Sequence, residues 1–331
     1  MNIFISGCGG FIGSNLAIKL FKEGHTIYGG DIKGPNKLLT DFRDTYEDRE
    51  DFLNRMNMYN MDFTSNNVKK EIFKKWNIDL IYHLASPIGV KNIIENSNKT
   101  LRDANKINTF FDEVCSEFDI PIIFSSSSEV FGSGEIDINS IYSIKKYSDS
   151  PRWTYAAAKT HAEFLFQSGN YPSTVVRFFN VVGIGQTTKG MVIPTFMEQA
   201  KKGKALTVLE NGIRSYCDIR EAIDYIVPIG MSLGKFKSES KYNKKDYNIG
   251  NSKNIISAEE LAKKIIKLYN SNSIISRDSI KYNVDALPVR KLLDYDADFK
   301  DNVTVYDIDE ILQNLKDYND RKDRNDENDK L

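Results

Sequence analysis

The sequence predicts an α/β protein built on a parallel, doubly wound sheet. Three observations support this fold class: short β-rich segments alternate with amphipathic helical segments, a glycine-rich turn joins the first strand to the first helix, and the second strand ends in an acidic residue. Strands that are separated by helices imply right-handed crossovers, which make the strands parallel within one sheet. The length of 331 residues corresponds to about two domains.

The first half of the chain supplies most of that sheet. The first predicted helix, 14–22, carries its apolar side chains on one face and ends before Gly24. The charged stretch 41–55 is expected to be a helix or loop insertion that contributes little to the core. The predicted strands of this half are Asn2–Ser6, Thr26–Asp31, 56–61, 79–84 and 121–124, and further helices are predicted at 66–76 and 99–118.

The second half differs in character and ends in a strongly polar segment. Ser257 is a predicted N-cap with Glu260 three residues later, the pattern of a capping box that opens a helix to about Tyr269. Beyond Leu315 the chain is almost only Asp, Asn, Lys and Arg, so residues 316–331 are expected to form a solvated, disordered tail. Strands are predicted at 174–178, 205–209 and 247–250, and helices at 153–166, 192–202 and 220–233.

Composition and charge exclude several classes of protein. The 45 Lys and Arg residues against 46 Asp and Glu leave a net charge of −1, so nothing global attracts a nucleic acid or an anionic membrane. No apolar run approaches the roughly 18 residues of a membrane-spanning helix. Three cysteines without paired spacing, and an N-terminus without a basic leader, predict reduced thiols and a cytoplasmic protein. None of the three histidines has metal-ligand spacing, so no metal site is expected.

The glycine-rich turn after the first strand predicts a dinucleotide site. Glycines permit positive φ angles and let backbone amides approach a pyrophosphate at a helix N-terminus. Asp31 follows about 20 residues later at the end of the second strand, where a carboxylate can bind a ribose and repel the 2′-phosphate of NADP. NAD is therefore the expected cofactor, the alternative being a turn that only packs a helix on the sheet. The expected contacts in the turn are Gly7, Gly10, Phe11, Ile12 and Gly13.

A tyrosine and a lysine four residues apart form a candidate catalytic pair. Tyr155 and Lys159, in YAAAK, share one face of a predicted helix. A phenolate that works near neutral pH needs the tyrosine pKa lowered by about 3 units, or roughly 4 kcal/mol, which a neighbouring ammonium and a positively charged nicotinamide can supply. Alone the pattern would favour a solvated pair, but its position after a dinucleotide turn favours catalysis.

Four serines end the fifth predicted strand, in the segment SSSSEVFG at 125–132. Hydroxyl groups at the C-terminal edge of a parallel strand face the crevice in which open α/β sheets bind ligands. The alternative is a polar turn, which accounts for the serines but not for the buried-looking Glu-Val-Phe-Gly that follows. The segment is therefore a candidate part of the active site.

Together these segments resemble the extended short-chain dehydrogenase/reductase family, which contains NAD-dependent nucleotide-sugar epimerases, dehydratases and decarboxylases. The resemblance covers about residues 1–300, with mild departures such as Ser6, where threonine is usual. The matching stretches, in order, are SGCGGFIGS, GGDI, MDFT, YHLAS, SSSSEVFG, YAAAK, RFFNVVG and YNIGN.

The resemblance implies a domain organisation and an assembly. A Rossmann-type NAD-binding domain would span 1–178 with a returning segment near 213–250, and a smaller C-terminal α/β substrate domain would comprise 179–212 and 251–315. The family also implies a homodimer formed through a helix bundle that includes the helix after Tyr155.

The resemblance further implies roles for individual residues. Tyr155 would be the catalytic base, Lys159 would hold the nicotinamide ribose, and Ser127 would orient the sugar 4-hydroxyl. A second group of implied contacts comprises Asp62 with the adenine, Leu84, Ala85 and Asn105 with the cofactor, Ser128 and Asn180 with the substrate, and Arg290 with the nucleotide diphosphate.

The residues after Ser127 bear on which reaction follows the shared oxidation at C4. Many 4,6-dehydratases carry Asp-Glu there, whereas this chain has Ser128-Glu129, which argues against the dTDP-glucose type and leaves the GDP-mannose type open. UDP-glucuronate decarboxylases also carry Ser-Glu. The predicted substrate is therefore a nucleotide-diphosphate sugar, with a UDP-sugar favoured.

A second stretch favours decarboxylation of a UDP-hexuronate. The stretch IRSYCDIREAI resembles the decarboxylase half of the bifunctional enzyme that makes aminoarabinose for lipid A, where Arg214 matches the arginine near the departing carboxylate. Arg214 could equally contact the diphosphate or be a surface charge. Glu129 and Arg214 are the candidates to stabilise and reprotonate the enolate. The alternatives are a C4 epimerase, then a 4,6-dehydratase, and finally a non-catalytic NAD-sensing protein.

Overall fold

The computed structural model divides the chain into two compact units. The first comprises Met1–Val130, Tyr142–Phe178 and Ile223–Ile249, and the second comprises Phe131–Ile141, Phe179–Ala222 and Gly250–Leu331. The segment that returns to the first unit thus begins at Ile223, later than the sequence suggested. The structure describes residues 1–87, 89–132, 134–136, 151–187, 191–208, 212–277, 290–292 and 303–328.

Fourteen strands are defined within the described residues. They are β1 Asn2–Ser6, β2 Thr26–Asp31, β3 Met56–Asn60, β4 Leu80–His83, β5 Ile122–Ser127, β6 Gly134–Ile136, β7 Ser173–Phe178, β8 Asn180–Val182, β9 Leu206–Val208, β10 Ile213–Asp218, β11 Lys245–Ile249, β12 Ile255–Ser257, β13 Ile275–Arg277 and β14 Arg290–Leu292.

Eleven α-helices are defined within the same residues, together with short 3-10 turns at Ser128–Phe131 and Lys237–Glu239. The helices are α1 Phe11–Lys22, α2 Lys37–Thr45, α3 Arg49–Arg55, α4 Glu71–Lys75, α5 Val90–Glu95, α6 Ser97–Phe118, α7 Trp153–Ser168, α8 Val192–Lys201, α9 Ile219–Phe236, α10 Ala258–Leu268 and α11 Ile308–Asn328.

The first unit is built on one seven-stranded sheet in the order β11-β7-β5-β4-β1-β2-β3. Every neighbouring pair in this sheet is parallel. The chain leaves β1 toward β2 on one side and later returns to β4 on the other, so the strand order reverses between β1 and β4. This confirms the predicted doubly wound fold, and such a reversal is where open α/β sheets form a ligand crevice.

Aromatic and aliphatic side chains form the core of the first unit because its strands are covered by helices on both faces. Phe4 of β1 lies against Phe73 and Phe111, with ring centroids 4.6 and 6.0 Å away. Phe124 of β5 and Phe166 of α7 lie 4.9 Å apart. All five rings are fully or almost fully buried.

The segment between β2 and β3 contributes more to the core than its charged composition predicts. Three rings lie within 5.7 Å of the buried Phe21 ring of α1, measured between ring centroids: Phe42 of α2, Tyr46 directly after α2, and Phe52 of α3. Most charged residues of the segment are exposed, but the Arg55 guanidinium lies 4.1 Å from the centre of the Phe21 ring. The expectation of little core contribution was therefore wrong.

The second unit has its own sheet and core. Its five-stranded sheet has the order β12-β10-β14-β6, with β8 also paired to β10. The predicted capping box is confirmed, since Ser257 Oγ accepts from the Glu260 amide and Glu260 Oε2 accepts from the Ser257 amide. The buried face of α10, with Leu261 and Ile265, packs in one cluster with Ile311 and Leu312 of α11.

The C-terminal segment differs from the predicted disordered tail. Helix α11 continues to Asn328, well beyond Leu315, the last residue of its buried face. Pairs one turn apart support this polar extension: Lys316 Nζ donates to Asp320, and Gln313 Nε2 donates to Asp317. Composition predicted solvation correctly but missed that these charges recur at helical spacing. No helix in the described part of the chain combines the length and the apolar character needed to cross a membrane.

Candidate active site

The glycine turn lies where the strand order of the first sheet reverses. Gly7 follows β1 with φ +73°, and a Cβ added there would lie 2.8 Å from the backbone nitrogen of Ala85, which follows β4. A Cβ on Gly13 would lie 2.3 Å from the Gly7 carbonyl oxygen. Side chains at these two positions would therefore push α1 and the Ala85 backbone away from the turn, which accounts for both glycines.

The N-terminus of α1 is open toward the same crevice. Gly10 is its N-cap and offers no side chain to bond the first amides, and the first turn contains no acidic residue. The helix therefore presents backbone N–H groups and the positive end of its dipole, which suits a pyrophosphate. Phe11, Ile12 and Gly13 form this first turn.

A buried hydrogen-bond network fixes the loop after β4. Ser6 Oγ accepts from the amides of Leu84 and Ala85, both at 3.1 Å, and lies 2.7 Å from His83 Nδ1. Because the serine proton then points to Nδ1, the histidine carries its own proton on Nε2 and donates it to Asn108 Oδ1 at 3.0 Å. Burial, with the nearby Lys159 ammonium, lowers the pKa of His83 to about 3, so the ring is neutral.

The two predicted adenosine contacts are the last residue of β2, Asp31, and Asp62, which follows β3. Asp31 lies beside the turn, since a Cβ on Gly9 would be 3.1 Å from its Cγ, and its Oδ1 accepts from the Lys33 amide at 2.8 Å. Asp62 Oδ1 accepts from the amide and hydroxyl of Thr64 at 2.9 and 2.6 Å. These bonds lower the pKa of Asp62 and hold its carboxylate ionised.

The residues of the turn and its surroundings fit NAD. Gly7 and Gly13 make room for a backbone cradle, α1 offers free amides for the pyrophosphate, and Asp31 is placed for the adenosine ribose. The side-chain oxygen of Asn105, on α6, is buried and makes no hydrogen bond within the described part of the chain. Such a buried acceptor is costly unless a ligand donates to it.

The candidate catalytic pair lies on α7, as predicted. Lys159 is buried, its Nζ donates to the Ser125 carbonyl at 2.6 Å, and it lies 4.8 Å from the Phe124 ring and 5.7 Å from the Tyr155 ring. Burial lowers the pKa of Lys159 to about 7, whereas Glu163 raises it. The Lys159 ammonium therefore lies beside the Tyr155 ring, and its pKa depends on burial and on Glu163.

The serine-rich end of β5 brings three predicted residues together. Ser127 ends the strand half-exposed, and its Oγ accepts from the Glu129 amide at 3.2 Å, while Ser128 is buried. The Glu129 carboxylate pairs with Arg152 at 2.8 Å, and both side chains are only 12–15% exposed. Arg152 was not singled out from the sequence, although it stands directly before α7 in the PRWTYAAAK stretch.

A buried charge network behind the pair was also missed. Glu163 accepts from Ser126 Oγ and from Arg177, whose Nη2 is 2.7 Å away, and Arg177 also pairs with Asp246. The only signal in the sequence is the position of Glu163, four residues after Lys159 and thus on the same helical face. The other members of the network come from distant strands: Ser126 from β5, Arg177 from β7 and Asp246 from β11.

The predicted substrate residues outside the first unit share the second sheet. Asn180 of β8 donates to the Ser215 carbonyl at 3.3 Å, and Arg214 of β10 donates to the Ile213 carbonyl at 2.9 Å. Arg214 and Arg290 are direct register partners of the parallel pair β10 and β14. The sheet thus brings the two arginines side by side along the backbone, and the side chain of Arg290 lies outside the described part of the chain.

Comparison with known proteins agrees with this geometry. The model of the NAD dependent epimerase/dehydratase family matches residues 3–250. The chain is 29% identical over 290 residues to a UDP-N-acetyl-alpha-D-glucosaminuronate decarboxylase of Bacillus cytotoxicus, covering 82% of this chain and 81% of that protein. It is 32% identical over 276 residues to protein CapI of Staphylococcus aureus, covering 76% and 78% respectively.

A solved structure shows the same fold. UDP-glucuronic acid 4-epimerase from Bacillus cereus, in complex with UDP-glucuronic acid and NAD, superposes with a TM-score of 0.79 over 96% of this chain and 98% of that chain, at 21% identity. The family model covers well over half of the residues. The chain therefore belongs to the NAD-dependent epimerase/dehydratase family, as an NAD-dependent enzyme of nucleotide-sugar modification.

Proposed function

We propose that this enzyme decarboxylates a UDP-hexuronate through transient oxidation at C4. The observation that carries the proposal is the Ser127-Ser128-Glu129 segment at the end of β5, with the Glu129 carboxylate already paired to Arg152. The proposal also draws on the resemblance of the IRSYCDIREAI stretch to a decarboxylase and on the decarboxylase among the relatives.

The residues of the first unit divide the proton chemistry among them. The Tyr155 phenolate takes the proton of the sugar 4-hydroxyl, and the Lys159 ammonium favours the phenolate by its positive charge. The Ser127 hydroxyl orients the 4-hydroxyl by hydrogen bonding. Bound NAD⁺ supplies the acceptor for the C4 hydride. Asp31 and the first turn of α1 would hold its adenosine ribose and pyrophosphate.

Oxidation at C4 makes the loss of CO₂ easy. A 4-keto group is β to the carboxylate on C5, so the C5–C6 bond can break with its electron pair moving into the enolate of the ketone. The enolate would then take a proton at C5, and return of the proton from Tyr155 to the 4-oxygen, with the hydride that a bound cofactor would give back, would yield a UDP-pentose. The protein has only to stabilise the enolate and supply one proton, for which Glu129 and Arg214 are the candidates.

The Glu129–Arg152 pair favours this reaction over dehydration. A 4,6-dehydration of the dTDP-glucose type uses an aspartate at position 128 to protonate the departing C6 hydroxyl, and this chain has serine there. The guanidinium of Arg152 offsets the negative charge of Glu129, which would otherwise repel a carboxylated sugar.

A substrate panel tests the proposal. NAD-loaded enzyme is incubated with UDP-glucuronate, UDP-N-acetylglucosaminuronate and UDP-glucose, and CO₂ release and product mass are followed together. Loss of CO₂ from a uronate, with UDP-glucose not decarboxylated, is the expected result. A product of unchanged mass identifies a C4 epimerase, and loss of water identifies a 4,6-dehydratase; either outcome rejects decarboxylation. Glu129→Gln and Arg214→Gln test separately the two residues proposed to stabilise and reprotonate the enolate.

We also propose that the protein is a cytoplasmic homodimer that contacts its copy through α6 and α7. These two helices pack on each other within the first unit, and Phe164 of α7 is 63% exposed. Sedimentation equilibrium on the wild type and on Phe164→Glu tests this assembly, and a monomeric wild type rejects it.

A further inference from the structure

Lys159 shares its helix with a second buried ionisable residue, one turn farther on. The Glu163 side chain is 1% exposed, and its carboxylate is held by Ser126 Oγ and by the Nε and Nη2 atoms of Arg177 at 3.1 and 2.7 Å. The Asp246 carboxylate pairs with Nη1 of Arg177, and the Asp246 side chain is 49% exposed. The network therefore ties α7 to β5, β7 and β11.

A buried ion pair of this kind is weak evidence of a stabilising role. Well-packed apolar side chains of the same volume often stabilise a core as well as a buried ion pair, because the desolvation of the charges offsets their attraction. What an apolar side chain cannot supply is a negative potential at Lys159. The two residues lie at i and i+4 on one face of α7, the spacing at which opposite charges interact.

The charged and titratable groups around Lys159 come from four elements. Tyr155 and Glu163 lie on the same helix as Lys159. The Ser125 carbonyl, on β5, accepts a hydrogen bond from Lys159 Nζ, and the neutral His83 ring lies nearby on β4. Arg177 lies on β7 behind Glu163. Among these groups Glu163 is the carboxylate that raises the pKa of Lys159, against the burial that lowers it.

We propose that Glu163 is a positioning residue of the Tyr155–Lys159 pair: its carboxylate, fixed by Arg177 and Ser126, favours the protonated form of the buried Lys159. The role assigned to Lys159 rests on the proposed function, whereas the effect of Glu163 on its charge does not. Removing the carboxylate would leave burial unopposed. Lys159 would then lose its proton at neutral pH, and Tyr155 would lose the positive charge beside it.

The test measures the protonation of Lys159 in the NAD-free protein. The pH titration of isotope-labelled lysine side chains is followed by NMR, and the Lys159 signal is identified by its loss in Lys159→Arg. Glu163→Gln keeps the shape of the side chain and removes its charge, at the cost of replacing one accepting oxygen by an NH2 group that faces Arg177 or Ser126. At an effective dielectric constant of about 20, a charge one helical turn away accounts for a fall of about one pKa unit or more.

Asp246→Asn is the matched control, because it removes the other carboxylate on Arg177 without touching Lys159. The Lys159 pKa is expected to fall in Glu163→Gln and to stay at the wild-type value in Asp246→Asn. In turnover, the alkaline limb of the kcat profile moves to lower pH only in Glu163→Gln. Equal Lys159 titrations in the wild type and Glu163→Gln would overturn the proposal.

A second variant guards against a failure of Glu163→Gln to fold. The double variant Glu163→Gln/Arg177→Met leaves no unpaired charge between the two positions and carries the same expectation of a lowered Lys159 pKa. An unchanged value there also overturns the proposal. If no nucleotide sugar is turned over by the wild type, the proposed function fails while the NMR titration still decides the role of Glu163.

Discussion

Protonation of His83 should account for a defined part of the acid sensitivity of this protein. The ring is fully buried between Ser6 and Asn108, and accepting a second ring proton would break the bond that Ser6 donates to Nδ1. Burial is the largest cause of its lowered pKa, the Lys159 ammonium is the second, and the bond to Asn108 opposes both. The pKa falls from 6.5 in a solvated histidine to about 3.

The sign and size of the effect follow from this difference. Because the folded pKa is the lower one, the unfolded chain binds the proton first, and stability falls as the pH drops through 6.5 toward 3. From these two values the loss attributable to His83 is about 0.2 kcal/mol at pH 7 and about 2 kcal/mol at pH 5. Below pH 3 both states are protonated, and the loss no longer grows.

Urea unfolding of the NAD-free protein, followed by tryptophan fluorescence, measures this loss. His83→Gln removes the titration, so the wild type should lose about 2 kcal/mol more than the variant between pH 7 and pH 5. The control is His161→Gln, since His161 is exposed and this variant should lose as much as the wild type. Equal losses in the wild type and His83→Gln would refute the buried, neutral histidine.

Three further predictions concern the cofactor crevice and the serine strand end. Gly7→Ala should weaken NAD binding at least about tenfold, measured by calorimetry, because the added Cβ meets the Ala85 backbone. The control is Gly24→Ala, which is also at positive φ but has open space around it; it should cost about 1 kcal/mol of stability and leave NAD affinity unchanged. Equal NAD affinities in the two variants would contradict a backbone cradle at Gly7. Asp31→Asn should improve binding of NADP relative to NAD, and an unchanged ratio of the two dissociation constants would remove Asp31 from the ribose site. Arg152→Met should destabilise the fold by about 3 kcal/mol, because it leaves the Glu129 carboxylate buried without its ion-pair partner. The loss of stability should be smaller when Glu129 is also changed to Gln. If the losses of the two single variants simply add in the double variant, the two side chains are not coupled.

The parts of the fold that the sequence predicted well rest on local spacing. The glycine turn, the pair Tyr155 and Lys159, and the capping box at Ser257 are each defined within a few residues, and all three have the predicted local geometry. The parallel order of the sheet followed from the alternation of strands and helices. Local patterns of this kind depend little on the rest of the chain.

The parts that were missed depend on distant residues. Glu163 meets Arg177 across 14 residues and Arg177 meets Asp246 across 69, so no short motif shows the network. Phe52 was counted with a charged insertion because its partner ring, Phe21, lies in α1. Arg214 and Arg290 become neighbours only through the pairing of two short strands.

Abstraction of the C4 hydroxyl proton by Tyr155 is the step on which the proposed function most directly depends. Single-turnover experiments with NAD-loaded enzyme and UDP-glucuronate, either unlabelled or deuterated at C4, follow the absorbance of the reduced nicotinamide and the release of CO₂ together. The absorbance should rise before CO₂ appears, slow with deuterium, and vanish in Tyr155→Phe, which still binds NAD. Release of CO₂ without this absorbance, or at full rate in Tyr155→Phe, would contradict the account.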